Sequence, residues 1–422
     1  MSRTSVPSAT RKLSYGGLYA RWETGSWRAT ELDFTQDRVD WHEHLTDEQR
    51  RGALWLYALF FHGEDSVTDN LSPYIDAAPL EEQKYFLATQ QADEARHAVF
   101  FNRFMHEVVG TGDGSVASSL QSTDAQLTWG HRQVFSYLDR MADRLRRDPS
   151  PRQLAAAVTL YHLVVEATLA QAGQHMIGQS LEELDVLPGF RAGMRNVERD
   201  EQRHIGFGVK LLSDLLEDDP EGTEAAVVDT LREVLPWSVS VAYPPGGDRR
   251  YTASFGFELE DLYETAARSI EVKLRAVGLD PQSLRVALPM DIPPRARGER
   301  ALALVEANIL GERTGPARRD AVTMEMLFDS LRRQADPEQV PSGTTIQWEF
   351  PDADPWHMVM ENGSTRAAAG RAPSAALTLR CRFDDWVDVA GGRVEPYKLV
   401  LRGRLRPRGE LRTLARLPRL FA

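Results

Sequence analysis

The sequence predicts a mainly α protein, a bundle of long helices followed by a small α+β domain. Three observations predict it. Apolar residues recur at helical spacing from Thr46 to about residue 240, with no strand alternation in that stretch. After Gly315 the period changes to two, in short runs separated by turn residues. The length, 422 residues, exceeds one ordinary domain.

Residues 1–45 read as an irregular N-terminal segment holding Gly16, Gly17, Gly25, Trp22, Trp27 and Trp41. Thr46-Asp47-Glu48 reads as a helix start, because acidic side chains favour the N-terminal end of the helix dipole. An apolar and aromatic run over 53–70 follows, ended or bent by Pro73. Helical patterns recur over 80–109, 124–147, 151–177, 181–216 and 221–239, and Pro151 suits a first helical turn. A loop at 244–247 and a helix over Leu259–Val277 complete a bundle assigned to residues 46–290. Residues 291–317, with Pro293 and Pro294, read as a linker, with one more helix expected over 300–310. The C-terminal domain, 318–422, is expected to hold a helix at 324–334 and strands at 345–350, 357–361, 365–370 and 376–382. A short helix at 382–389 and a strand at 397–405 follow.

Composition narrows the function. Hydrophobic residues make up 42% and charged residues 27%, the ordinary mix of a globular chain. A net charge of −12 argues against a dedicated nucleic-acid binder. A single cysteine, Cys381, excludes a disulfide framework, a thiolate zinc site and a cysteine-held iron–sulfur cluster. No apolar run reads as long enough to span a bilayer, and no apolar segment follows the basic residues of the first twelve. No integral membrane segment is therefore expected, and a cytoplasmic location is the default.

Two segments share the pattern Asp-Glu-x-Arg-His. One holds Asp93, Glu94 and His97; the other holds Asp200, Glu201 and His204. Glu and His three apart share a helix face. A lone Glu-x-x-His is common by chance and is more often a surface pair. Here, however, two further carboxylates, Glu64 and Glu166, stand among apolar residues on other helical segments. The order is Glu, Glu-x-x-His, Glu, Glu-x-x-His on four helical segments in chain order. Burying four carboxylates is costly unless cations neutralise them. Four carboxylates and two imidazoles are the ligand set of a di-iron or di-manganese centre in a four-helix bundle.

The stretch from about residue 45 to 285 resembles the ferritin-like superfamily and, within it, the ribonucleotide reductase small subunit. The resemblance implies that Asp200 orients a metal-bound histidine. Two departures disfavour ribonucleotide reduction: Phe101 stands where the reductases carry the radical tyrosine, and Glu64 stands where many carry Asp. The local string around Gly63, Glu64 and Val67 is closer to the small-subunit-like ligand-binding oxidases. That resemblance implies a manganese–iron or di-iron centre and dioxygen as co-substrate. It further implies a fatty-acid-like ligand, an ether bond between Val67 and Tyr161, and a homodimer with an unidentified electron donor. In its terms Glu64, Glu94 and His97 hold one metal, and Glu166, Glu201 and His204 the other, some carboxylates bridging. Phe101, Phe104, Leu163 and Leu169 are candidate substrate-binding residues, with Phe60, Phe61, Phe100 and Phe207 as further candidate walls. The alternative is a di-iron N-oxygenase or desaturase of a specialised pathway. The N-oxygenases use an extra histidine, and spacing alone assigns none of His62, His162 and His175 that role.

Residues from about 318 onward resemble the sterol carrier protein type 2 fold, through the leading helix, the strand series and the short helix after 382. The resemblance implies a hydrophobic small-molecule or lipid ligand; packing or dimerisation without one is the plainer role. From Tyr397 on, eight Lys or Arg stand against one acid, Glu410. A solvated face is the usual meaning of such a run, and contact with anionic headgroups the alternative.

Overall fold

The computed structural model describes residues 8–421, and the chain forms two compact units. The first comprises Met1–Thr230 and Val241–Pro281; the second comprises Leu231–Ser240 and Gln282–Ala422. The division thus falls earlier than the expected linker at 291–317, and part of that stretch is the helix Pro294–Glu306. Pro293 and Pro294 signal a helix start there, because a proline at the first helical position has no amide hydrogen to waste.

In the first unit, four helices carry the sequence motifs: Asp47–Asn70, Glu81–Phe104, the continuous run Pro151–Leu184, and Pro188–Asp218. Thr46 and Gln49 close a reciprocal capping box on the first, with Thr46 Oγ1 accepting from the Gln49 amide at 3.2 Å. Ser150 caps the third, followed by Pro151. That third helix is long and apolar enough to cross a membrane, contrary to expectation. Yet 72% of its apolar window is buried in the protein, as befits the centre of a bundle.

Among the described residues, from Ser8 on, the N-terminal segment is not irregular. It forms Ser8–Lys12, Tyr15–Thr24, Thr35–Val39 and Asp40–His44. Its reason is tertiary. The expected helix over 181–216 breaks at Asp185 and Leu187, both in the left-handed region with φ of 49° and 51°. Pro188–Asp218 therefore begins inside the protein with open amide groups. Asp37 accepts hydrogen bonds from the amides of Gly189 (2.9 Å) and Phe190 (2.7 Å), and Asp40 from that of Leu187 (2.7 Å). Gly189 is required at this crossing, since a Cβ would stand 2.2 Å from the Asp33 carbonyl.

The second unit holds the helix Ala321–Gln334 and a five-stranded sheet: β1 (Thr344–Glu349), β2 (Trp356–Glu361), β3 (Ser364–Ala369), β4 (Leu377–Arg380) and β5 (Arg406–Gly409). The order is β3-β2-β1-β4-β5, with β1 and β4 parallel and the other pairs antiparallel. Phe328, Trp348, Trp356 and Trp386 pack its core, with Phe328 stacked on Trp356 at 4.7 Å. The strand expected over 397–405 is instead the helix Pro396–Leu401, and the last strand starts at Arg406. Pro396 opens a helical turn, and only Leu399 of its six residues is buried, so the apolar alternation there marks no sheet face.

Candidate metal centre

Glu64 comes from Asp47–Asn70, Glu94 and His97 from Glu81–Phe104, and Glu201 and His204 from Pro188–Asp218. Glu166 lies in a twelve-residue π-helical stretch, Thr159–Ala170, inside the third helix. Its wide turns show in Thr168 Oγ1, which donates to the carbonyl five residues back, that of Leu163, at 2.6 Å. Such stretches often mark functional sites.

All six side chains are buried and converge. Donor atoms of Glu64, Glu94, His97 and Glu201 lie within 4.8 Å of one another, and so do those of Glu94, Glu166, Glu201 and His204. Glu94 and Glu201 are common to both groups. Each imidazole turns Nδ1 to the carboxylates: His97 lies 3.3 Å from both Glu64 and Glu94, and His204 3.1 Å from Glu94. Each turns Nε2 to an aspartate of the opposite motif. His97 meets Asp200 at 3.2 Å, and His204 meets Asp93 at 3.1 Å.

A shell that sequence reasoning missed, apart from Asp200 and Tyr161, surrounds these six side chains. Arg203 donates to Asp93 (3.0 Å) and Asp200 (2.7 Å), and Arg96 donates to the same two aspartates. Trp22 Nε1 donates to Asp93 at 2.9 Å, and Trp27 Nε1 to Asp200 at 2.7 Å. Gln90 donates to Glu166 at 2.8 Å and to the Tyr161 hydroxyl at 3.0 Å, while Tyr161 donates to Glu94 at 2.7 Å. Asp93 and both arginines stood in the repeated motif itself, so its internal symmetry was the signal for them. The tryptophans had none.

Electrostatics follow from burial. Desolvation pushes Glu64 and Glu166 up to about 7 against the pull of His97 and His204, and with Glu94 and Glu166 it raises Glu201 well above the carboxylate range. Burial opposes charge on Glu94 too, but His204 and His97 outweigh it and hold Glu94 low. Burial likewise opposes charge on both imidazoles, and the facing carboxylates outweigh it, raising both. Glu166 Oε2 and Glu201 Oε2 are buried without a hydrogen-bond partner. An orphaned buried acceptor costs about 1–3 kcal/mol, which a cation would recover. Oxygen and imidazole donors in this number suit two iron or manganese ions. The residues present therefore fit a dinuclear centre.

The four carboxylates also line a cavity of about 90 Å³ whose other walls are mostly apolar, among them Trp55, Leu59, Phe60, Leu169, Met176 and Phe257. Val67 and Tyr161 line it as well. Of the expected substrate-binding residues, Leu169 is in this wall. Phe101, Phe104 and Leu163 are not: Phe101 stands behind Phe60, 6.0 Å between ring centres, and Phe104 packs on Phe190 at 4.4 Å. Leu163 is fully buried on the ligand-bearing π stretch. Phe61, Phe100 and Phe207 are core residues likewise. Helical spacing names a face but not the depth at which a residue meets its neighbour. Neither His62, His162 nor His175 joins the clusters. His162 donates to Gln90 at 3.2 Å, His62 bonds Thr123 at 3.0 Å, and His175 is exposed.

Residues 328–422 match the SCP-2 sterol transfer family. Among solved structures, an R2-like ligand-binding oxidase from Sulfolobus acidocaldarius is 23% identical, covering 64% of this chain and 93% of its own, with a TM-score of 0.52. A variant R2-like ligand-binding oxidase with an anaerobically reconstituted Mn/Fe cofactor is 24% identical, covering 63% and 93%, with a TM-score of 0.54. These likenesses establish the fold. Residues 15–241, more than half of the sequence, match the family "Ribonucleotide reductase, small chain", and the chain belongs to that family.

Proposed function

We propose that the chain is a dinuclear-metal oxidase or oxygenase that uses dioxygen on a hydrophobic, fatty-acid-like substrate held beside the centre. One observation carries this reading: Glu64, Glu94, Glu166 and Glu201 form part of the wall of a mostly apolar cavity. Glu64, Glu94 and His97 would hold one ion and Glu166, Glu201 and His204 the other, and Glu94 and Glu201, common to both groups, could serve both ions. Two such ions, iron with manganese or iron with iron, supply the electrons that reduce dioxygen and an oxidant for C–H bonds. The chain does the rest. Asp200 and Asp93 hold the Nε2 protons of His97 and His204, which leaves Nδ1 of each facing the carboxylates. Apolar walls exclude water from the reacting end of the substrate. The solved R2-like ligand-binding oxidase variant has a reconstituted Mn/Fe cofactor, which supports the same metal pair here.

Val67 and Tyr161 share the cavity, and the ether bond implied by the family resemblance would join them. It removes one hydrogen from each, the two electrons passing to dioxygen. The C-terminal unit would carry or deliver the apolar ligand, consistent with its SCP-2 match, and a homodimer would form through the bundle.

Anaerobic loading with Fe(II) and Mn(II), followed by air, tests the proposal. Two metal ions per chain, oxygen consumption and a co-purifying apolar ligand are expected. Loss of two hydrogen masses from the intact chain, absent in Tyr161→Phe, would report the ether bond. A chain that binds fewer than two metals, or binds two and consumes no oxygen, refutes the oxidase reading.

A further inference from the structure

The C-terminal segment of the second unit carries a surface that neither the metal centre nor the sheet core uses. Four large apolar side chains stand out of it: Leu401 (82% exposed), Leu411 (79%), Tyr397 (58%) and Val400 (41%). Ordinary proteins leave such side chains exposed singly, and a group of them marks an interaction surface. Between them runs the densest cationic stretch of the chain, in a protein whose overall balance is −12. Lys398, Arg402, Arg408, Arg412 and Arg419 make no ion pair among the described residues; Arg404 pairs with Asp385.

These groups lie close together in the chain, on the elements that flank one edge strand. Leu401 ends the helix Pro396–Leu401, β5 spans only Arg406–Gly409, and Leu411 opens the final helix Leu411–Leu420. β5 is about 13 Å long at 3.3 Å per residue, so the two leucines flank one short edge strand. Arg406 and Arg408 share a face of that strand. In the final helix Thr413 and Leu420 are buried, with Leu414 and Leu417 against the core, which leaves Arg412, Arg416 and Arg419 on the outer side.

We infer that this border docks the protein on a bilayer containing anionic phospholipid, the apolar side chains entering the headgroup layer and the unpaired cations meeting lipid phosphates. A nucleic-acid backbone would satisfy the arginines but gives Leu401, Leu411 and Val400 nothing to bury. A membrane interface satisfies both.

Sedimentation of the full chain with vesicles tests this. Phosphatidylcholine vesicles containing phosphatidylglycerol should bind it, and pure phosphatidylcholine at least tenfold less. Salt of about 1 M, where screening acts within about 3 Å, should release most of it. Arg402→Gln with Arg408→Gln and Arg412→Gln should weaken binding about 100-fold, each cation contributing roughly fivefold. Leu401→Ser with Leu411→Ser should weaken it while leaving the salt dependence intact. All five positions are exposed, so melting temperature should not move. Equal binding to both vesicle types, no binding to either, tighter binding to duplex DNA or RNA, or a dimer that the leucine variant dissociates without any vesicle binding would each overturn the inference.

Discussion

Each imidazole of the centre is held from behind by an aspartate belonging to the other motif. Removing that support frees the ring to turn and lowers its basicity. Asp93→Ala should therefore weaken Fe(II) or Mn(II) binding about 10–100-fold, read by metal titration, and by as much as Asp200→Ala. A different buried histidine sets an acid limit. Burial holds His131 neutral, with its pKa lowered to about 3, though Leu59 O accepts from it at 3.0 Å. The unfolded side chain titrates near 6.5. Between those values the unfolded state binds the extra proton, so stability is complete above about 6.5 and falls as pH drops toward 3. The slope from this residue is up to about 1.4 kcal/mol per pH unit. Urea midpoints from pH 7 to 4 should show a shallower fall in His131→Gln. At this scale the sequence disclosed the six side chains that converge, because repeated spacing is a chemical pattern. Trp22, Trp27 and Gln90 were silent, since their partners lie far away in the chain.

Long helices were legible from period alone, but their interruptions were not. The break at Asp185–Leu187 lies inside a continuing apolar pattern and exists because Asp37 and Asp40 receive the next helix. The π stretch changes the turn without changing composition. The last strand was misplaced because a six-residue helix with a single inward leucine mimics alternation. Close helix approach was equally hidden. Gly208, on the Glu201 helix, faces His162 so tightly that an added Cβ would sit 2.2 Å from the histidine Cβ. Gly208→Ala should destabilise by about 1–3 kcal/mol, the cost of overpacking a rigid core. Chemical denaturation of the metal-free protein measures it, and an unchanged midpoint would mean that the two helices separate freely.

Over the whole molecule, composition and length disclosed two units, but the dividing line could not be read from prolines. Residues 231–240, at the end of the helix Pro220–Ser238, belong with the second unit, where Arg232 donates to the carbonyls of Arg285 (2.6 Å) and Gln334 (2.9 Å). A chain cut after residue 281 should therefore leave Leu231, Val234 and Leu235 without cover. It should melt at lower temperature and self-associate, while a second cut after residue 230 that also spares 241–281 is not available to a single chain. Light scattering on heating would show it. The crossed support of the histidines has a consequence for assembly of the centre. Asp93 and Asp200 are joined through Arg96 and Arg203, and two carboxylates serve both groups. The two places would therefore be coupled, entry of one ion easing entry of the other. Titration with a single metal should then fill both places in one sigmoidal step, and half-filled protein should be scarce at every stage.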